Sequence, residues 1–277
     1  MSNTSQNLPA SITLVGAGKM GSAMLSGWLA MGLKGAAITI LEPAPQADLT
    51  AICTKHGIAL NPPASAWKPA EVLILAIKPQ MLDAAAPDLA PLVNAKTLII
   101  SILAGKRIAD LATRLPATQA IVRAMPNTPA AIGRGITGVA ASASVTAHQR
   151  TMTDALLGAV GAVEWLESEA LIDAVTAVSG SGPAYIFYLT EALAKAGEAA
   201  GLPADLAARL ARATVEGSGE LMRLSPELPP SKLRENVTSP GGTTAAALSV
   251  LMADDGLSPL MRDAVAAAVR RAGELSG

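Results

Sequence analysis

The feature that most constrains the fold is an alternation of short apolar segments with helical segments through the first half of the chain. Strand-like segments, short and bounded by glycine, proline or polar turns, cover residues 12–15, 37–41, 72–77, 98–102 and 120–123. Helical spacing fills the intervals at residues 20–31, 48–56, 81–89 and 107–115. Most strand segments are apolar on both faces, which is typical of a parallel sheet covered by helices on each side. The pattern predicts a doubly wound α/β sheet with right-handed crossovers.

The second half of the chain changes character. Residues 139–141 and 162–166 are predicted as edge strands, with a helix over about 147–157 between them. Beyond residue 167 the strand pattern ends, and alanine-rich helical stretches follow at 183–200, 204–223, 244–252 and 259–275. We therefore predict an α/β domain over residues 1–166 and an all-helical domain over residues 167–277.

The helical domain contains few large side chains, and aromatic residues make up only 2% of the whole chain. Alanine-rich helices form a thin core, which gains stability when it packs against a second copy. We therefore expect a homodimer through the C-terminal helices.

Composition excludes several classes of protein. The chain is 51% hydrophobic and 16% charged, which excludes a disordered protein, and 21 basic against 22 acidic residues leave no surplus for nucleic acid. Cys53 cannot form an intramolecular disulfide, and His56 and His148 do not complete a zinc site with it. Residues 1–10 lack the apolar stretch of a signal peptide, and the apolar runs are too short to span a membrane. We expect a cytoplasmic protein with no metal, nucleic-acid or membrane partner.

A glycine-rich turn follows the first strand segment. Gly16, Gly18 and Gly21 form a G-x-G-x-x-G motif between the strand at 12–15 and the helix at 20–31. The first glycine allows the tight turn, the second lets a pyrophosphate approach the backbone, and the third lets helix and strand meet closely. The helix N-terminus presents unpaired amides to the anion. Because strand and helix are both present, the motif favours a Rossmann-type dinucleotide site over an ordinary glycine turn.

Glu42 ends the second strand segment, where a carboxylate accepts hydrogen bonds from the hydroxyls of an adenosine ribose. Its charge would repel a 2′-phosphate, so it favours NADH over NADPH. The alternative is a solvated glutamate at a strand end. If the first interpretation holds, Glu42→Ser raises the efficiency with NADPH relative to NADH.

Five segments of the chain form a recognisable series when they are read together. They cover residues 16–21, 75–80, 123–130, 173–185 and 236–244. In this order they resemble the pyrroline-5-carboxylate reductase family, and the resemblance extends from residue 12 to about residue 272. The last segment, Asn-Val-Thr-Ser-Pro-Gly-Gly-Thr-Thr, is the most specific to the family.

The resemblance implies a Rossmann-type domain joined to an all-helical dimerisation domain, often assembled further into a ring-like oligomer. It implies NADPH or NADH as hydride donor and L-1-pyrroline-5-carboxylate as substrate, which becomes L-proline. Three groups of residues would bind the cofactor: Val15, Gly16, Ala17, Gly18, Lys19, Met20 and Gly21 at the turn; Ala76, Ile77, Lys78 and Pro79 after the fourth strand; and Asn236.

Reduction of a cyclic imine requires a hydride on the imine carbon and a proton on nitrogen, so the site must mainly position a small anionic ring. We assign the substrate carboxylate to the Ser239 hydroxyl and the N–H groups of Gly242 and Thr243, with Val237 on the same substrate loop. Thr244 is the catalytic candidate, because its hydroxyl could hold the imine nitrogen and relay its proton. The alternative is that these hydroxyls only cap a helix.

Other positions and other classes of protein stay open. Lys78 either meets the cofactor at the carboxyl edge of the sheet or is a surface lysine, and Arg123 either meets the cofactor or pairs with an acidic neighbour. A β-hydroxyacid dehydrogenase would need a lysine where Ile186 stands. A reductase of a different cyclic imine would differ only in pocket shape, and a non-catalytic nicotinamide sensor would need no organised loop at residues 239–244.

Overall fold

The computed structural model describes residues 8–276 of the chain. Two compact units divide the chain: the first runs to Gly180 and resumes at Ala268, and the second is Ser181–Ala267. The predicted domain boundary between residues 166 and 167 stays a prediction. The expectation that residues 1–10 are not a signal peptide concerns a segment that lies largely outside the described residues.

The first unit is built on an eight-stranded sheet with the strand order β3-β2-β1-β4-β5-β6-β7-β8. The strands are β1 Ile12–Val15, β2 Ile38–Leu41, β3 Ala59–Leu60, β4 Val72–Leu75, β5 Leu98–Ser101, β6 Ile121–Met125, β7 Gly135–Ala141 and β8 Gly161–Trp165. Neighbouring strands are parallel except β6 and β7, which are antiparallel. The doubly wound α/β class predicted from the sequence is confirmed.

Two features of the sheet differ from the prediction. The predicted edge strand at 139–141 is the end of a longer strand, β7, which lies inside the sheet between β6 and β8. Its first half contains Gly135 and Gly138, which weaken the apolar pattern. The short strand β3 was not predicted, because two residues carry no periodicity.

Helices cover both faces of the sheet. They are α1 Lys19–Ala30, α2 Ala47–His56, α3 Leu82–Leu89, α4 Ile108–Arg114, α5 Ala147–Gly158 and the short α6 Ile172–Val175, which a π-helical turn follows at Thr176–Gly180. Successive residues of a strand enter opposite layers, as the pleat requires. In β4, for example, Ile74 belongs to one buried apolar cluster and Leu75 to the other. The apolar character of both strand faces is thereby explained.

The second unit is helical, as predicted. It contains α7 Gly182–Ala199, α8 Ala204–Leu224, α9 Pro230–Asn236, α10 Thr243–Leu251 and most of α11 Leu257–Leu275. Among its described residues only two alanines are buried, Ala207 and Ala211. Large apolar side chains are exposed instead, and Phe187 and Tyr188 show 63% and 69% of their surface. The unit on its own has almost no hydrophobic core.

One helical stretch among the described residues, Glu169–Ala199, is long and apolar enough to cross a membrane by length and composition alone. It is not one regular α-helix, since it includes α6, the π-helical turn and α7. Length and composition are a weak indication, because helices that pack in soluble proteins meet the same criteria.

Candidate functional site

The predicted cofactor segments follow two neighbouring strands at the point where the strand order reverses. From β1 the chain winds outward to β2 and β3 on one side, and then to β4 and beyond on the other. Ligands of open α/β sheets bind outside the carboxyl ends of the strands at such a point. The backbone N–H of Ala76 donates to the carbonyl of Val15 over 2.8 Å. The structure therefore brings the glycine turn and the segment at residues 76–79 together.

Two glycines of the turn are required by the protein itself. Gly16 has a φ of +90°, and a Cβ there would lie 2.6 Å from the carbonyl oxygen of Ala76. A Cβ on Gly21 would collide with the carbonyl oxygen of Gly16. These glycines allow the tight turn and the close approach of α1 to the sheet, as the motif predicts.

Gly18 is different, because nothing in the described part of the protein requires a glycine at this position. Its φ is −66°, which any residue adopts, and no protein atom lies within 4 Å of a Cβ placed there. The space that a side chain would fill lies open beside the turn. An open side at the second glycine is what the motif requires for close approach of a pyrophosphate, and the residues present therefore suit a dinucleotide cofactor.

The start of α1 is suited to an anion. Gly18 caps the helix, no side chain does so among the described residues, and the first turn contains no acidic residue. The first hydrogen bond of the helix runs from the Ser22 N–H to the Gly18 carbonyl, at 2.8 Å. The preceding amides of the helix are left for a ligand, and the helix dipole favours negative charge there.

Glu42 lies against the same turn. Its Oε2 accepts a hydrogen bond from the Ala17 N–H at 2.8 Å, and its Oε1 accepts one from the Ala44 N–H at 3.1 Å. The side chain is therefore fixed to the glycine turn rather than free in solvent. This is the location in which a carboxylate meets the adenosine ribose of a bound dinucleotide.

The remaining charged candidates are divided between the surface and the interior. Lys78 is exposed at the carboxyl end of β4, directly before a short 3₁₀ turn at Pro79–Met81. Arg123 is buried, and its guanidinium contacts the Glu169 carboxylate at 3.1 Å and the Asp173 carboxylate at 3.7 Å. Of the two alternatives for Arg123, the structure therefore shows the ion pair.

Cysteine and metal chemistry have no visible place in the described residues. Cys53 lies in the core, and burial raises the pKa of its thiol, which keeps it protonated and unreactive. Residues 8–276 contain no group of three or more histidine, cysteine, aspartate or glutamate side chains arranged to hold a metal ion.

The predicted substrate loop lies in the second unit, between α9 and α10. Asn236 ends α9, Gly241 has a left-handed φ of +69°, and α10 begins at Thr243. Gly242 precedes the helix, and within the described residues no side chain caps it. The hydroxyls of Ser239, Thr243 and Thr244 are therefore not used as caps, in contrast to the alternative considered from the sequence.

One assignment in this loop does not fit the geometry. The N–H of Gly242, which was expected to hold the substrate carboxylate, donates to the carbonyl of Ser239 at 3.0 Å. The turn thus uses this amide to close itself. The first helical hydrogen bond of α10 runs from the Ala246 N–H to the Gly242 carbonyl, so the amides of Thr243, Thr244 and Ala245 are the ones left at the helix start.

Two residues of interest were missed. The side chain of Asn61, directly after β3, is hydrogen-bonded to both the N–H and the carbonyl of Glu42. A sequence signal existed, since an asparagine before two prolines is typical of a special turn. The Ser179 hydroxyl, in the π-helical turn, is a buried side-chain oxygen with no partner among the described residues.

The fold and the glycine turn together define a dinucleotide-binding protein of the Rossmann type. Residues 11–105 match the family described as "NADP oxidoreductase coenzyme F420-dependent", and residues 169–275 match "Pyrroline-5-carboxylate reductase dimerisation". The chain is 41% identical to the pyrroline-5-carboxylate reductase of Pseudomonas aeruginosa over 266 residues, which covers 96% of each protein. The chain belongs to the pyrroline-5-carboxylate reductase family.

Solved structures agree with this assignment. A pyrroline-5-carboxylate reductase from Coxiella burnetii matches with a TM-score of 0.89 and 36% identity, covering 97% of this chain and 99% of that one. The Plasmodium falciparum pyrroline carboxylate reductase, solved with NADP bound, matches with a TM-score of 0.79 and 26% identity over 97% and 98%. The family and its dependence on NAD(P)H as cofactor are thus established together.

The different roles of the glycines can be tested by two alanine substitutions. Gly18→Ala should leave the urea midpoint almost unchanged but weaken NADH binding at least about tenfold, because the new methyl group enters only the cofactor's space. Gly16→Ala should lower the midpoint as well, since its Cβ meets the Ala76 carbonyl. Equilibrium unfolding and fluorescence titration with NADH measure both quantities. Unchanged NADH affinity in Gly18→Ala would contradict the proposed pyrophosphate cradle.

Proposed function

We propose that this chain reduces L-1-pyrroline-5-carboxylate to L-proline, the last step of proline biosynthesis. Hydride passes from NADPH or NADH to the carbon of the C=N bond. The proposal is carried by the open space beside Gly18, at the point where the strand order of the sheet reverses. The same chain has a second glycine turn, before α10, whose helix start has no side-chain cap. Membership of the reductase family supports it.

The cofactor would be held by residues of both segments at the reversal point. The turn from Val15 to Gly21 would hold the pyrophosphate at the amides of the helix start, because the Gly16 and Ala17 amides already donate to Leu41 and Glu42. Lys19, exposed at the helix start, would add positive charge. The segment from Ala76 to Pro79, with Lys78, would line the nicotinamide ribose. Asn236 is proposed as a further cofactor contact. When bound, the nicotinamide supplies the hydride, and the protein supplies position.

The substrate carboxylate would be bound at the start of α10. The Ser239 hydroxyl and the amides of Thr243 and Thr244 carry the proposal, because the Gly242 amide is already paired. Backbone N–H groups at a helix start bind a carboxylate for the same reason that they bind a phosphate. Gly242 contributes its lack of a side chain, and Val237, an exposed apolar residue, offers a surface to the ring.

Thr244 would hydrogen-bond the imine nitrogen. A threonine hydroxyl is a weak acid, so full proton transfer from it is not expected to drive the reaction. The protonated imine is already electrophilic, and a hydroxyl beside it fixes the ring so that one face meets the hydride. Thr244 therefore acts through orientation: its hydroxyl oxygen would accept a hydrogen bond from the N–H of the protonated imine while hydride adds to the neighbouring carbon.

The assembly proposed for this chain is a homodimer through the C-terminal helices. The family match identifies a dimerisation region, which supports a homo-oligomer. The exposed apolar side chains of α7 and α8 support these helices as the interface, because a second copy would remove them from water. The same contact would account for the apolar stretch Glu169–Ala199 without a membrane. We also propose that the dimers assemble into a larger ring-like oligomer, that the helical domain starts at residue 167, and that the protein is cytoplasmic.

The test of the proposed reaction is the loss of reduced-nicotinamide absorbance in the presence of pyrroline-5-carboxylate, with NADH and NADPH in parallel. We expect turnover that requires both the imine and the cofactor, and stoichiometric L-proline as product. If the cofactors bind but neither is consumed, the substrate assignment fails while the dinucleotide site stands.

The role of Thr244 predicts a difference between two substitutions of similar size. Thr244→Val removes the hydroxyl and should lower kcat at least about tenfold with a smaller change in KM for the imine, whereas Thr244→Ser should retain most of the activity. Steady-state kinetics against pyrroline-5-carboxylate measures the split. A rise in KM alone for Thr244→Val would show that Thr244 only binds the ring.

The role of Glu42 predicts a change in cofactor choice. Glu42→Ser removes the charge beside the ribose, so the ratio of kcat/KM with NADPH to that with NADH should rise at least about tenfold. Lys19→Gln serves as a comparison, because it should weaken binding of both cofactors together. Equal ratios before and after Glu42→Ser would remove Glu42 from cofactor selection.

A further inference from the structure

Asn61 holds Glu42 from behind. Its side-chain Nδ2 donates to the backbone carbonyl of Glu42 at 2.8 Å, and its Oδ1 accepts from the backbone N–H of Glu42, also at 2.8 Å. One amide side chain thus satisfies both main-chain groups of a single residue. The Asn61 side chain bonds to the backbone of Glu42 and not to its carboxylate. The carboxylate instead accepts from the amides of Ala17 and Ala44.

The sheet register explains why a side chain is needed here. Ile40 pairs with Leu60 in the parallel ladder, and the Asn61 N–H donates to the Ile40 carbonyl. Continued by two residues, the same register would place the amide of Pro63 opposite the Glu42 carbonyl. Proline has no N–H to donate. The side chain of Asn61 supplies the missing donor and extends the ladder to the residue beyond the end of β2.

The backbone of Asn61 is specialised for this contact. It has a φ of +48° and is the only non-glycine residue with a positive φ among the described residues. Asparagine tolerates this left-handed conformation better than most residues, though at some cost. The conformation turns the chain away from the sheet at the prolines, and the side chain returns to Glu42.

The contacts continue from Asn61 to the cofactor turn. Glu42 is fixed at its backbone by Asn61, and its carboxylate is fixed by the amides of Ala44 and Ala17. A glutamate at a free strand end could swing away from an incoming 2′-phosphate at little cost. A glutamate held at both ends keeps its charge where the adenosine ribose binds.

We propose that Asn61 is a positioning residue for cofactor selection. It fixes Glu42 so that the carboxylate accepts from the ribose 2′-hydroxyl of NADH and repels the 2′-phosphate of NADPH. The inference rests on the proposed contact of Glu42 with the ribose, and it adds that selection depends on a residue whose side chain bonds to the backbone of Glu42.

The test uses Asn61→Gly in the full-length protein. Glycine adopts a φ of +48° freely, so the substitution deletes both side-chain bonds and leaves the turn intact. We expect the ratio of kcat/KM for NADPH to that for NADH to rise about fivefold or more, through KM for the cofactors and not through kcat. Asn94→Gly is the matched control: Asn94 accepts a bond from the Lys96 N–H in an exposed turn before β5, and the ratio should not change.

A binding measurement without turnover gives a second readout. Calorimetry with ADP-ribose and with its 2′-phosphate should show that Asn61→Gly weakens the binding of ADP-ribose, strengthens the binding of the 2′-phosphate, or does both. Asn61→Ser removes the side-chain amide without adding charge, so it should shift the two affinities in the same direction. It also keeps the test available if the glycine variant unfolds.

The double variant separates the possible outcomes. In the Glu42→Ser background, Asn61→Gly should produce no further change in the cofactor ratio, because there is no carboxylate left to position. An equal shift in both backgrounds would overturn the inference. A shift with Glu42→Ser and none with Asn61→Gly would also overturn it, while the ribose contact of Glu42 would stand. If neither variant shifts the ratio in an enzyme that reduces the imine, both assignments fail and the reaction stands.

Discussion

The structure depends on the close approach of two backbone segments at the carboxyl ends of β1 and β4. The Ala76 N–H donates to the Val15 carbonyl, and Gly16 has no room for a side chain beside Ala76. Because these segments are in contact, the start of α1 is held at the point where the sheet reverses its strand order. An anion bound to the helix start then lies beside the carboxyl edge of β4, where the rest of a dinucleotide can extend. The Glu42 contact with Ala17 is possible only because the turn is fixed in this way.

Much of the fold could be predicted from the sequence, because the central strands are buried on both faces. The prediction located β1 correctly at both ends, and the observed β4 and β5 end only one or two residues before the predicted ends. A continuous apolar run between two turns is typical of a buried parallel strand, so its position in the sequence is well defined. β3 and the first half of β7 were missed for the opposite reason: they are too short or too rich in glycine to show a period. The α9 helix, seven residues with one ion pair of its own between Lys232 and Glu235, also lacks an apolar stripe.

The candidate site was predictable in its segments but less so in its hydrogen bonds. Residue types located the glycine turn and the carboxylate at the end of β2, because their chemistry depends on their order in the chain. The pairing of the Gly242 amide with Ser239 depends on turn geometry, which residue types leave open. The Asn61 contact depends on the β2–β3 register together with two prolines, and neither is visible without the strand pairing. Burial of Arg123 beside Glu169 likewise follows from tertiary packing.

The same short segment has a consequence for how copies of the chain meet. An outer strand of a sheet presents unpaired backbone groups that can recruit another strand, and natural proteins restrict such edges. Here β3 is only two residues long, and it is followed by Asn61, whose chain turns away, and by Pro62 and Pro63, which have no N–H. This margin of the sheet is therefore closed to strand addition. Self-association along it is disfavoured, which protects the protein from edge-to-edge aggregation while apolar helices elsewhere remain exposed.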